Sequence, residues 1–569
     1  MTDTPLTPRT IHRAGTRALL VDLPELEEVM TWHAALTAQP LAGQTSAIAA
    51  ARTVLLEFAT PRDAQRAVET LAGFSPTAAG QSTPREVTID VIYDGEDLAS
   101  TAEHLGISAE ELISRHTSQA WMAAFGGFAP GFTYCVPADA STSEGAESFE
   151  WSVPRRANPR TAVPAGAVGL AGEFSAVYPR QSPGGWQLLG HTETPMWDPS
   201  AEHPALLNPG DIVRYRAVRA EASGAASSAA TAPSNTSAGK AAAQHSRTPT
   251  AVLGRPVATL TDAGLLSLVQ DRGRPGHGDI GVTRSGALDR ASARAANAAV
   301  GNSSSAAVIE NIGGLRITAN VDTVLAVTGA EATVEVSTRS GHRATKALAQ
   351  PIGLLAGEEL AVRPTGTGAR NYVAIRGGLA TDTVLDSAAS DVLSGMGPAP
   401  LVDGDSLKAG RAARTAVNPT ILNPADSTNA ATLRCVLGPR HDWFAEQTVQ
   451  DFLSTTWEVS GQSNRIGLRM TGPKGAELSR EREEELASEG MLPGSIQVPP
   501  NGLPVLFLAD HPVTGGYPVI ATVIPEDMDA TGQLPPGSTV AFRAVDPDTL
   551  AELPINPTDQ NTDTQEEEQ

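Results

Sequence analysis

The sequence predicts an α+β chain that is mostly β and is built as two separately folded halves. The 569 residues include 53 glycines and 42 prolines, a content typical of short strands joined by many turns. Short alternating apolar runs outnumber helical patterns. Residues 219–250 are mainly Ala, Ser and Thr, and from 220 onward they include no Val, Ile, Leu or aromatic side chain, so burial cannot offset their ordering entropy. We therefore expect a disordered linker there, with a reach on the order of 30 Å.

Composition and charge exclude several classes of protein. The 41 Lys and Arg against 64 Asp and Glu give a net charge of −23, which argues against a nucleic-acid partner or an anionic membrane. The two cysteines, Cys135 and Cys435, support neither a disulfide framework nor a cysteine-rich zinc site. No signal peptide and no apolar run long enough to span a bilayer is apparent. We expect a cytoplasmic protein.

The elements follow from apolar periodicity and capping residues. We expect strands over 17–22, 53–58 and 86–93, and helices over 24–36, 61–71, 96–104, 109–115, 289–300 and 479–488. Ser108 and Glu111 form a capping box at the start of the 109–115 helix, and Asp289 can cap the 289–300 helix. The predicted domains are a small α+β domain over 1–93, a barrel over 94–218, the linker over 219–250, two further domains over 251–415 and 416–550, and an acidic, disordered tail over 551–569.

A weak internal repeat links the two halves. Residues 182–190, which read SPGGWQLLG, resemble residues 513–521, which read VTGGYPVIA. Each segment follows a Pro- and Gly-containing turn by about 20 residues, and each half then ends in a similar strand. Two related β-barrels would explain the similarity, and chance resemblance between glycine-rich hairpins is the alternative.

Known local catalytic motifs are absent from the sequence. It contains no G-x-x-x-x-G-K-[ST] phosphate loop, no G-x-S-x-G nucleophile elbow and no H-E-x-x-H metal pair. It also lacks a Met-Lys-Met biotin-attachment sequence and a Gly-Gly-Ser-Ser-Gly amidase loop, so we expect no covalent biotin. By these motifs the chain is not a self-contained enzyme.

Two regions of the first half are candidate binding sites. Residues 125–134 contain four aromatic residues and three glycines, among them Gly131, a composition that suits either close backbone approach to a ligand or a tightly packed hairpin. Arg155 and Arg160 lie just before the turn at 164–166. Clustered guanidinium groups in an acidic protein can bind a carboxylate or phosphate, although surface ion pairing explains them equally well.

The second half offers a glycine-rich loop and several isolated polar groups. Residues 269–276 lead to 281–289, where a loop before a helix exposes free N–H groups. A plain capped loop is the alternative. Further along, 441–444 and 463–467 place polar residues beside turns, and a lone histidine such as His441 is more often structural than catalytic.

Several ordered motifs then resemble a known family. The first half resembles allophanate hydrolase subunit 1, also called the 5-oxoprolinase B subunit or Kip I, through YDGEDL at 93–98, GFAPGF at 127–132, VPAG at 163–166 and SPGGWQ at 182–187. The second half resembles allophanate hydrolase subunit 2, or the 5-oxoprolinase C subunit, through VQD at 269–271, SGA at 285–287, RGG at 376–378, GSIQVP at 494–499 and TGGYP at 514–518. The chain thus resembles a natural fusion of the B and C subunits.

The resemblance implies cyclophilin-like β-barrels in both halves and the carboxyltransferase arrangement found in urea carboxylase. It implies a partner, the 5-oxoprolinase A subunit, with which the complex opens 5-oxoproline to glutamate and consumes ATP, with Mg²⁺ as the expected metal. It leaves open which of the polypeptides holds ATP, whether this chain binds a metal and whether a higher oligomer forms. One departure is His191, where the family usually has arginine.

The candidate site residues follow from these motifs. The proposed carboxylates for Mg²⁺ or proton transfer are Asp271, Asp289, Asp442 and Asp510. The proposed substrate- or phosphate-binding residues are Gly131, Arg155, Arg160, Gly184, Gly185, Trp186, Gln187, Arg274, Ser285, Arg465, Gln497, Gly515, Gly516 and Tyr517. Two alternative functions remain: a carboxyltransferase-like component acting on urea or a related amide with a biotin protein, and a Kip I-type inhibitor of a sensor histidine kinase.

Overall fold

The structure is a computed structural model. It describes residues 10–76, 84–138, 149, 151–156, 158, 160–199, 201, 203–219, 254–411, 415–424 and 429–554. Residues 220–250 of the predicted linker and 555–569 of the predicted tail therefore lie outside the described residues.

The N-terminal domain is a four-stranded antiparallel sheet with two helices on one face. Its elements are β1 (Ile11–Arg13), β2 (Ala18–Asp22), α1 (Leu26–Ala38), β3 (Gln44–Ala49), β4 (Thr53–Phe58) and α2 (Pro61–Ala72), with strand order β1-β2-β4-β3. Successive residues of β2 point to opposite faces. Leu19 and Val21 pack with the helices, whereas Leu20 packs with Leu492 and Val513 of the second half. Both sheet faces are therefore buried, one of them by the other half of the chain.

The second domain is a seven-stranded barrel. Its elements are β5 (Glu86–Val91), α3 (Leu98–His104), α4 (Ala109–Ser118), β6 (Trp121–Gly126), β7 (Thr133–Pro137), β8 (Arg160–Val163), β9 (Ala167–Ala171), β10 (Phe174–Val177), β11 (Ser182–Gly184), β12 (Gln187–His191) and β13 (Ile212–Ala217). The sheet order is β12-β9-β10-β7-β6-β13-β5, and paired hydrogen bonds between Ile92 and His191 close it. The side chain of Ser108 accepts a hydrogen bond from the Glu111 N–H at 3.1 Å, so the predicted cap of α4 is confirmed.

The third domain consists of two packed sheets with one helix. Its elements are β14 (Arg255–Asp262), β15 (Leu266–Gln270), α5 (Arg290–Ala299), β16 (Val308–Ile312), β17 (Leu315–Ala319), β18 (Thr323–Gly329), β19 (Ala332–Ser337), β20 (Arg343–Lys346), β21 (Ile352–Leu354), β22 (Glu359–Pro364), β23 (Asn371–Ile375) and β24 (Ser406–Ala409). The sheets run β20-β19-β22-β17-β14-β24 and β15-β16-β23-β18-β21. Leu260, Ile317 and Val373 belong to the apolar core of this domain.

The fourth domain is a closed barrel. Its elements are β25 (Ala430–Leu437), α6 (Glu446–Ser454), β26 (Trp457–Val459), β27 (Gly467–Thr471), β28 (Glu489–Gly490), β29 (Ser495–Gln497), β30 (Val505–Phe507), β31 (Thr514–Gly515), β32 (Val519–Val523), α7 (Met528–Thr531) and β33 (Thr539–Ala544). The strand order is β25-β32-β29-β30-β27-β26-β33.

The two barrels have the same topology. Each begins with a strand that pairs in parallel with its last strand, β5 with β13 and β25 with β33. In β12 and in β32 the register shifts by one residue at equivalent points, between Leu188 and Gly190 and between Val519 and Ala521. An offset of 331 residues relates both pairs, and this is the offset of the internal repeat seen in the sequence. The prediction of two related barrels is confirmed.

The predicted helix over 479–488 is wrong. The described backbone has no helix there, and only turns and extended residues join α6 and its following strands to β28. Glu481 and Glu485 would repel each other one helical turn apart. Leu478 and Leu486 instead anchor the segment in the barrel core, and the charged residues between them are mostly exposed.

Candidate functional site

The glycine-rich loop of the first half lies at the contact between the two halves. The Phe128 N–H donates to Thr514 Oγ1 at 3.0 Å, and the Gly131 N–H donates to the Ile280 carbonyl at 3.2 Å. A Cβ on Gly127 would lie 2.3 Å from Thr514 Oγ1, and one on Gly281 would lie 2.3 Å from the Ala129 carbonyl oxygen. The glycines therefore allow two backbones to approach each other, a role that sequence alone could not distinguish from ligand binding.

The aromatic residues of this loop pack inside the first barrel. Phe132 contacts Tyr134, Tyr178 and Trp186 in edge-to-face geometry, with ring centroids 5.1, 5.2 and 5.5 Å away. Trp186, predicted to bind ligand, is buried in this cluster. The packed-hairpin alternative thus accounts for the aromatic composition of 125–134.

The predicted anion-binding residues of the first half are already paired with carboxylates. Arg160 contacts Asp97 at 2.9 Å and Glu96 at 3.1 Å, and Arg155 contacts Glu485 of the second half at 2.6 Å. Gly184 pairs with Arg160 across β8 and β11.

The neighbouring residues of this hairpin have protein partners as well. Gln187 donates to the Pro154 carbonyl at 2.9 Å, and the Gly185 carbonyl accepts from the Arg156 N–H at 2.8 Å. These contacts connect residues 154–156 to residues 185–187.

The matching hairpin of the second barrel faces the first half near Arg155. Gly515 pairs with Glu489, and a Cβ on Gly516 would lie 3.9 Å from Arg155 Nη1. Gln497 donates to the Tyr517 carbonyl at 3.0 Å, and the Tyr517 side chain is 42% exposed. Arg155 also lines a hollow of about 410 Å³ between the halves. The structure thus brings Arg155, Gly515 and Gly516 together.

A second group of predicted residues forms a buried ionic network between the third and fourth domains. Arg465 donates to both oxygens of Asp510, at 2.9 and 3.0 Å, and to Glu310 at 2.5 Å. Ser285 donates to Asp510 at 2.6 Å, and Arg370 lies 3.5 Å from Glu310. Burial acts to lower the pKa of Arg465, but its two carboxylate partners outweigh burial and raise it. The guanidinium is therefore firmly charged.

The network continues to the start of α5. Glu310 accepts from the Leu288 N–H at 3.0 Å and from the Tyr372 hydroxyl at 2.9 Å, and that hydroxyl accepts from the Asp289 N–H at 2.8 Å. Asp289 caps the helix by accepting from the Ser292 N–H at 2.8 Å, as predicted, and it also accepts from Gln533 at 2.7 Å. Burial raises the pKa of Asp289 against these hydrogen bonds.

Three predicted residues lie outside this network. Asp271 accepts hydrogen bonds from Gly273 N, Ser387 Oγ and Ala388 N at 2.7–2.8 Å, so it fixes two loops. Arg274 is buried and donates to the Val384 carbonyl at 3.2 Å and to the Ala389 carbonyl. Asp442 lies at the surface and pairs with Arg482 at 2.8 Å.

A further candidate site is a cavity of about 620 Å³ where the N-terminal domain, the 275–290 loop and the second barrel meet. It is lined by none of the side chains predicted from sequence. Its polar lining comes from the turn before β2, from β3 and β4, from the loop before α5 and the start of α5, from the turn after β30 and from β32: Thr16, Arg17, Thr45, Ser46, Glu57, Thr283, Arg284, Arg290, His511 and Thr522. The volume suits a small organic ligand.

Glu57 and His511 of this cavity have shifted pKa values. Burial raises the pKa of Glu57, and Arg284, Arg290 and a hydrogen bond from Ser46 partly oppose the increase. Burial lowers the pKa of His511 to about 4, so this imidazole is neutral at physiological pH. Glu57 is half-buried, and a carboxylate with a raised pKa in a cavity is the kind of group that enzymes use for proton transfer.

Sequence reasoning missed Glu57, Glu310 and Arg290. One signal was available for the first two: each is a lone carboxylate within an apolar strand, in TVLLEF at 53–58 and VIENI at 308–312. Charged residues are rarely buried unless they are paired or functional.

Comparison with known proteins identifies the family. The family model for the carboxyltransferase domain, subdomain C and D, matches residues 9–207, and the model for the carboxyltransferase domain, subdomain A and B, matches residues 280–544. The 5-oxoprolinase C subunit of Escherichia coli (strain K12) is 33% identical over 284 residues, which cover 49% of this chain and 88% of that protein. The chain belongs to the carboxyltransferase-domain family of 5-oxoprolinase subunits.

Two further relatives match parts of the chain. The 5-oxoprolinase B subunit of Escherichia coli O157:H7 is 42% identical over 134 residues, covering 23% of this chain and 57% of that protein. Urea amidolyase of Lachancea kluyveri is 30% identical over 313 residues, but this covers only 16% of that protein. The polypeptide is therefore a fusion of the B and C parts of the family, as its motifs predicted.

A solved structure shows the same arrangement over almost the whole chain. The crystal structure of TTHA0988 matches with a TM-score of 0.73 and 31% identity, covering 92% of this chain and 99% of that one. Within the described part of this family member, no helix is long and apolar enough to cross a membrane. The described residues also contain no group of three His, Cys, Asp or Glu side chains placed to hold a metal ion.

Proposed function

We propose that this chain supplies the B and C parts of an ATP-dependent 5-oxoprolinase, which opens the lactam of 5-oxoproline to L-glutamate together with a separate A subunit. One observation carries the proposal. The segments that match the B and C subunits are docked in one chain, and together they enclose the cavity that contains Glu57, Arg284 and Arg290.

The chemistry explains the need for ATP. A lactam carbonyl is a poor electrophile because the ring nitrogen donates electrons into it, and phosphorylation of the carbonyl oxygen would make the carbon more electrophilic. Water would then add to that carbon, the C–N bond would break as the ring nitrogen takes up a proton, and the resulting acyl phosphate would react with a second water to release phosphate and glutamate. That step needs cations around the transferring phosphoryl group and a base for water. We assign the binding of ATP and Mg²⁺ to the A subunit, whereas this chain contributes groups that bind the substrate and move a proton.

Within this chain, Glu57 is the residue that we assign to proton transfer. Its carboxylate lines the cavity, and its raised pKa makes it a stronger base than an exposed glutamate. The charges of Arg284 and Arg290 oppose this increase in pKa. His511 is held neutral, with its ring nitrogen Nδ1 2.7 Å from the Pro512 carbonyl, and can only contribute a hydrogen bond.

Reconstitution tests the proposal. The purified chain is mixed with the 5-oxoprolinase A subunit, the partner that its family implies, and glutamate release from 5-oxoproline is measured with and without ATP. We expect ATP-dependent release that Glu57→Gln lowers by about 10²–10⁴-fold, the usual contribution of a general base. Glu484→Gln, which alters an exposed glutamate, is the matched control. No ATP-dependent glutamate release by the wild-type complex would refute the function.

A carboxyltransferase reaction on urea is the second candidate, because the family model and urea amidolyase share these domains. The same preparation, supplied with urea and a carboxylated biotin protein, tests it through the appearance of carboxylated urea. The kinase-inhibitor hypothesis receives no support from the relatives described above.

A further inference from the structure

The cavity between the halves is positively charged, although the whole chain carries −23. Three arginines and one glutamate line it: Arg17, Arg284, Arg290 and Glu57. Arg17 is neutralised by Glu526 at 2.5 Å. For the other two arginines, no carboxylate lies within ion-pair distance in the part of the chain that the structure describes.

Glu57 lies close to both free arginines without contacting either. The charges of Arg284 and Arg290 both act on its carboxylate, in that order of strength, yet neither forms an ion pair with it among the described residues. Arg284 uses its Nε to donate to the Arg272 carbonyl at 3.2 Å, which leaves its terminal nitrogens free of described partners. The three side chains therefore surround a space rather than a closed salt bridge.

The environment of Arg290 favours an anion in that space. Burial, followed by repulsion from Arg284, lowers the pKa of Arg290 to about 10. Arg290 is half-buried and Arg284 is exposed, and neither guanidinium has a carboxylate partner among the described residues, so an anion in the cavity would gain charge-assisted hydrogen bonds from both. A carboxylate suits them, since its two oxygens match the planar donors of arginine.

We propose that Arg290 and Arg284 bind the carboxylate of the substrate and so select a cyclic amide that carries a carboxylate over a neutral amide. This inference rests on the proposed function and refines it. With its carboxylate on the arginines, the ring of 5-oxoproline would point its amide toward Glu57 and Ser46 on the opposite wall, which β3 and β4 supply. A neutral substrate such as urea gains nothing from the two arginines.

Calorimetry with two lactams tests the subsite. The full chain is titrated with 5-oxoproline and with 2-pyrrolidinone, the same ring without the carboxylate, and KM for 5-oxoproline is measured in the complex with the A subunit. For Arg290→Gln and Arg284→Gln we expect the Kd of 5-oxoproline in calorimetry, and its KM in the complex, to rise by about 10–100-fold. Arg290→Lys, which keeps the charge, should lose less.

Arg294→Gln is the matched control. Arg294 lies on the same helix, its side chain is 56% exposed and it pairs with Asp529 at 3.9 Å outside the cavity lining, so its substitution should leave binding unchanged. Thermal unfolding of each variant verifies that it is folded.

Two results would overturn the subsite: equal binding of both lactams by the wild-type chain, or an unchanged KM in Arg290→Gln. The second result in an active complex would leave the proposed function standing. Conversely, Arg290-dependent binding of 5-oxoproline in a complex that releases no glutamate would support the subsite and refute the reaction.

Discussion

Replacement of Arg465 by methionine tests the ionic network between the third and fourth domains. The guanidinium makes four hydrogen bonds, two to Asp510 at 2.9 and 3.0 Å, one to Glu310 at 2.5 Å and one to the Gly286 carbonyl at 2.7 Å. Methionine fills much of the same volume without a charge, so two carboxylates would remain buried without their shared cation.

The expected loss of free energy of unfolding follows from the partners that Glu310 and Asp510 keep in the variant. Removal of one partner from a buried ion pair typically costs about 3–5 kcal/mol. Arg370 would still lie 3.5 Å from Glu310, and Asp510 would keep its hydrogen bonds from Ser285 Oγ and Val392 N. We therefore expect a loss near the lower end, about 3 kcal/mol.

The loss should depend on pH. Burial acts to raise the pKa of Glu310, but Arg465 and Arg370 outweigh it and lower the pKa below its ordinary value of 4.5. Ionised Glu310 thus contributes stability in the wild type above about pH 4.5, and this contribution disappears as the pH falls through the lowered pKa. The difference between variant and wild type should be largest at pH 7 and should shrink toward pH 4.

Urea denaturation at several pH values, monitored by tryptophan fluorescence, measures this difference. Hydrogen exchange at the Leu288 and Val392 amides, which donate to the two carboxylates, locates the effect in the network. Arg482→Met is the control, because that surface ion pair with Asp442 should contribute only about 0–1 kcal/mol. A variant as stable as the wild type at pH 7, or a loss that does not vary with pH, would refute the reasoning.

Three further predictions concern the contact between the halves and the cavity. Gly281→Ala should weaken docking of the halves, since φ is +76° there and a Cβ would lie 2.3 Å from the Ala129 carbonyl oxygen of the first half. Hydrogen exchange at that contact should become faster, and slower or unchanged exchange would contradict the prediction. Burial acts to raise the pKa of Asp22, but hydrogen bonds from His12 and Arg440 outweigh it and lower the pKa to about 2. Arg440→Gln removes the partner of Asp22 and of buried Glu489, so it should cost about 3 kcal/mol at pH 7, and the part that comes from Asp22 should be lost as the pH falls from 4 to 2, as thermal unfolding across that range can measure. Because burial raises the pKa of Glu57, its ionisation disfavours the folded state, and Glu57→Gln should match the wild type in Tm below pH 4.5 and exceed it at pH 8; a lower Tm at pH 8 would count against this.

Local sequence patterns predicted the elements that depend on local interactions. The strand predicted over 53–58 matches β4 residue for residue, and the helix predicted over 61–71 gains only one residue. α6 was not predicted, although Val449, Phe452 and Leu453 share its buried face. The internal repeat predicted two related barrels, and the structure shows the same register shift in β12 and β32, 331 residues apart.

The candidate site was harder to predict because it forms only when distant segments dock. The motifs selected loops that the structure places at the contact between the halves, but a glycine that admits a ligand and one that admits another backbone look the same in sequence. Glu57 and Arg290 are 233 positions apart in the sequence, and they line one cavity only because the two halves are in contact. The roles predicted for Asp271, Asp289, Asp442 and Asp510 in proton transfer or metal binding stay predictions.

The shared topology of the barrels also shows how their equivalent positions have diverged. The Asp97 N–H donates to the Leu188 carbonyl, and the Arg440 N–H donates to the Val519 carbonyl, so Asp97 and Arg440 occupy matching positions. Their partners also match, because Arg160 pairs with Gly184 as Glu489 pairs with Gly515. Each barrel therefore has one ion pair at the same place, with the two charges exchanged.

The exchange of charges has a structural consequence. In the first barrel the carboxylate is central, and Asp97 forms ion pairs with Arg156 and Arg160 of the same domain. In the second barrel the arginine is central, and a guanidinium has donors left for a second carboxylate, so Arg440 also binds Asp22 of the N-terminal domain at 2.6 Å. Arginine at this position thus lets the second barrel hold the N-terminal domain, whose sheet forms one wall of the cavity. An internal ion pair of the first barrel corresponds to an interdomain contact in the second, and that contact ties the second barrel to the domain that carries Glu57.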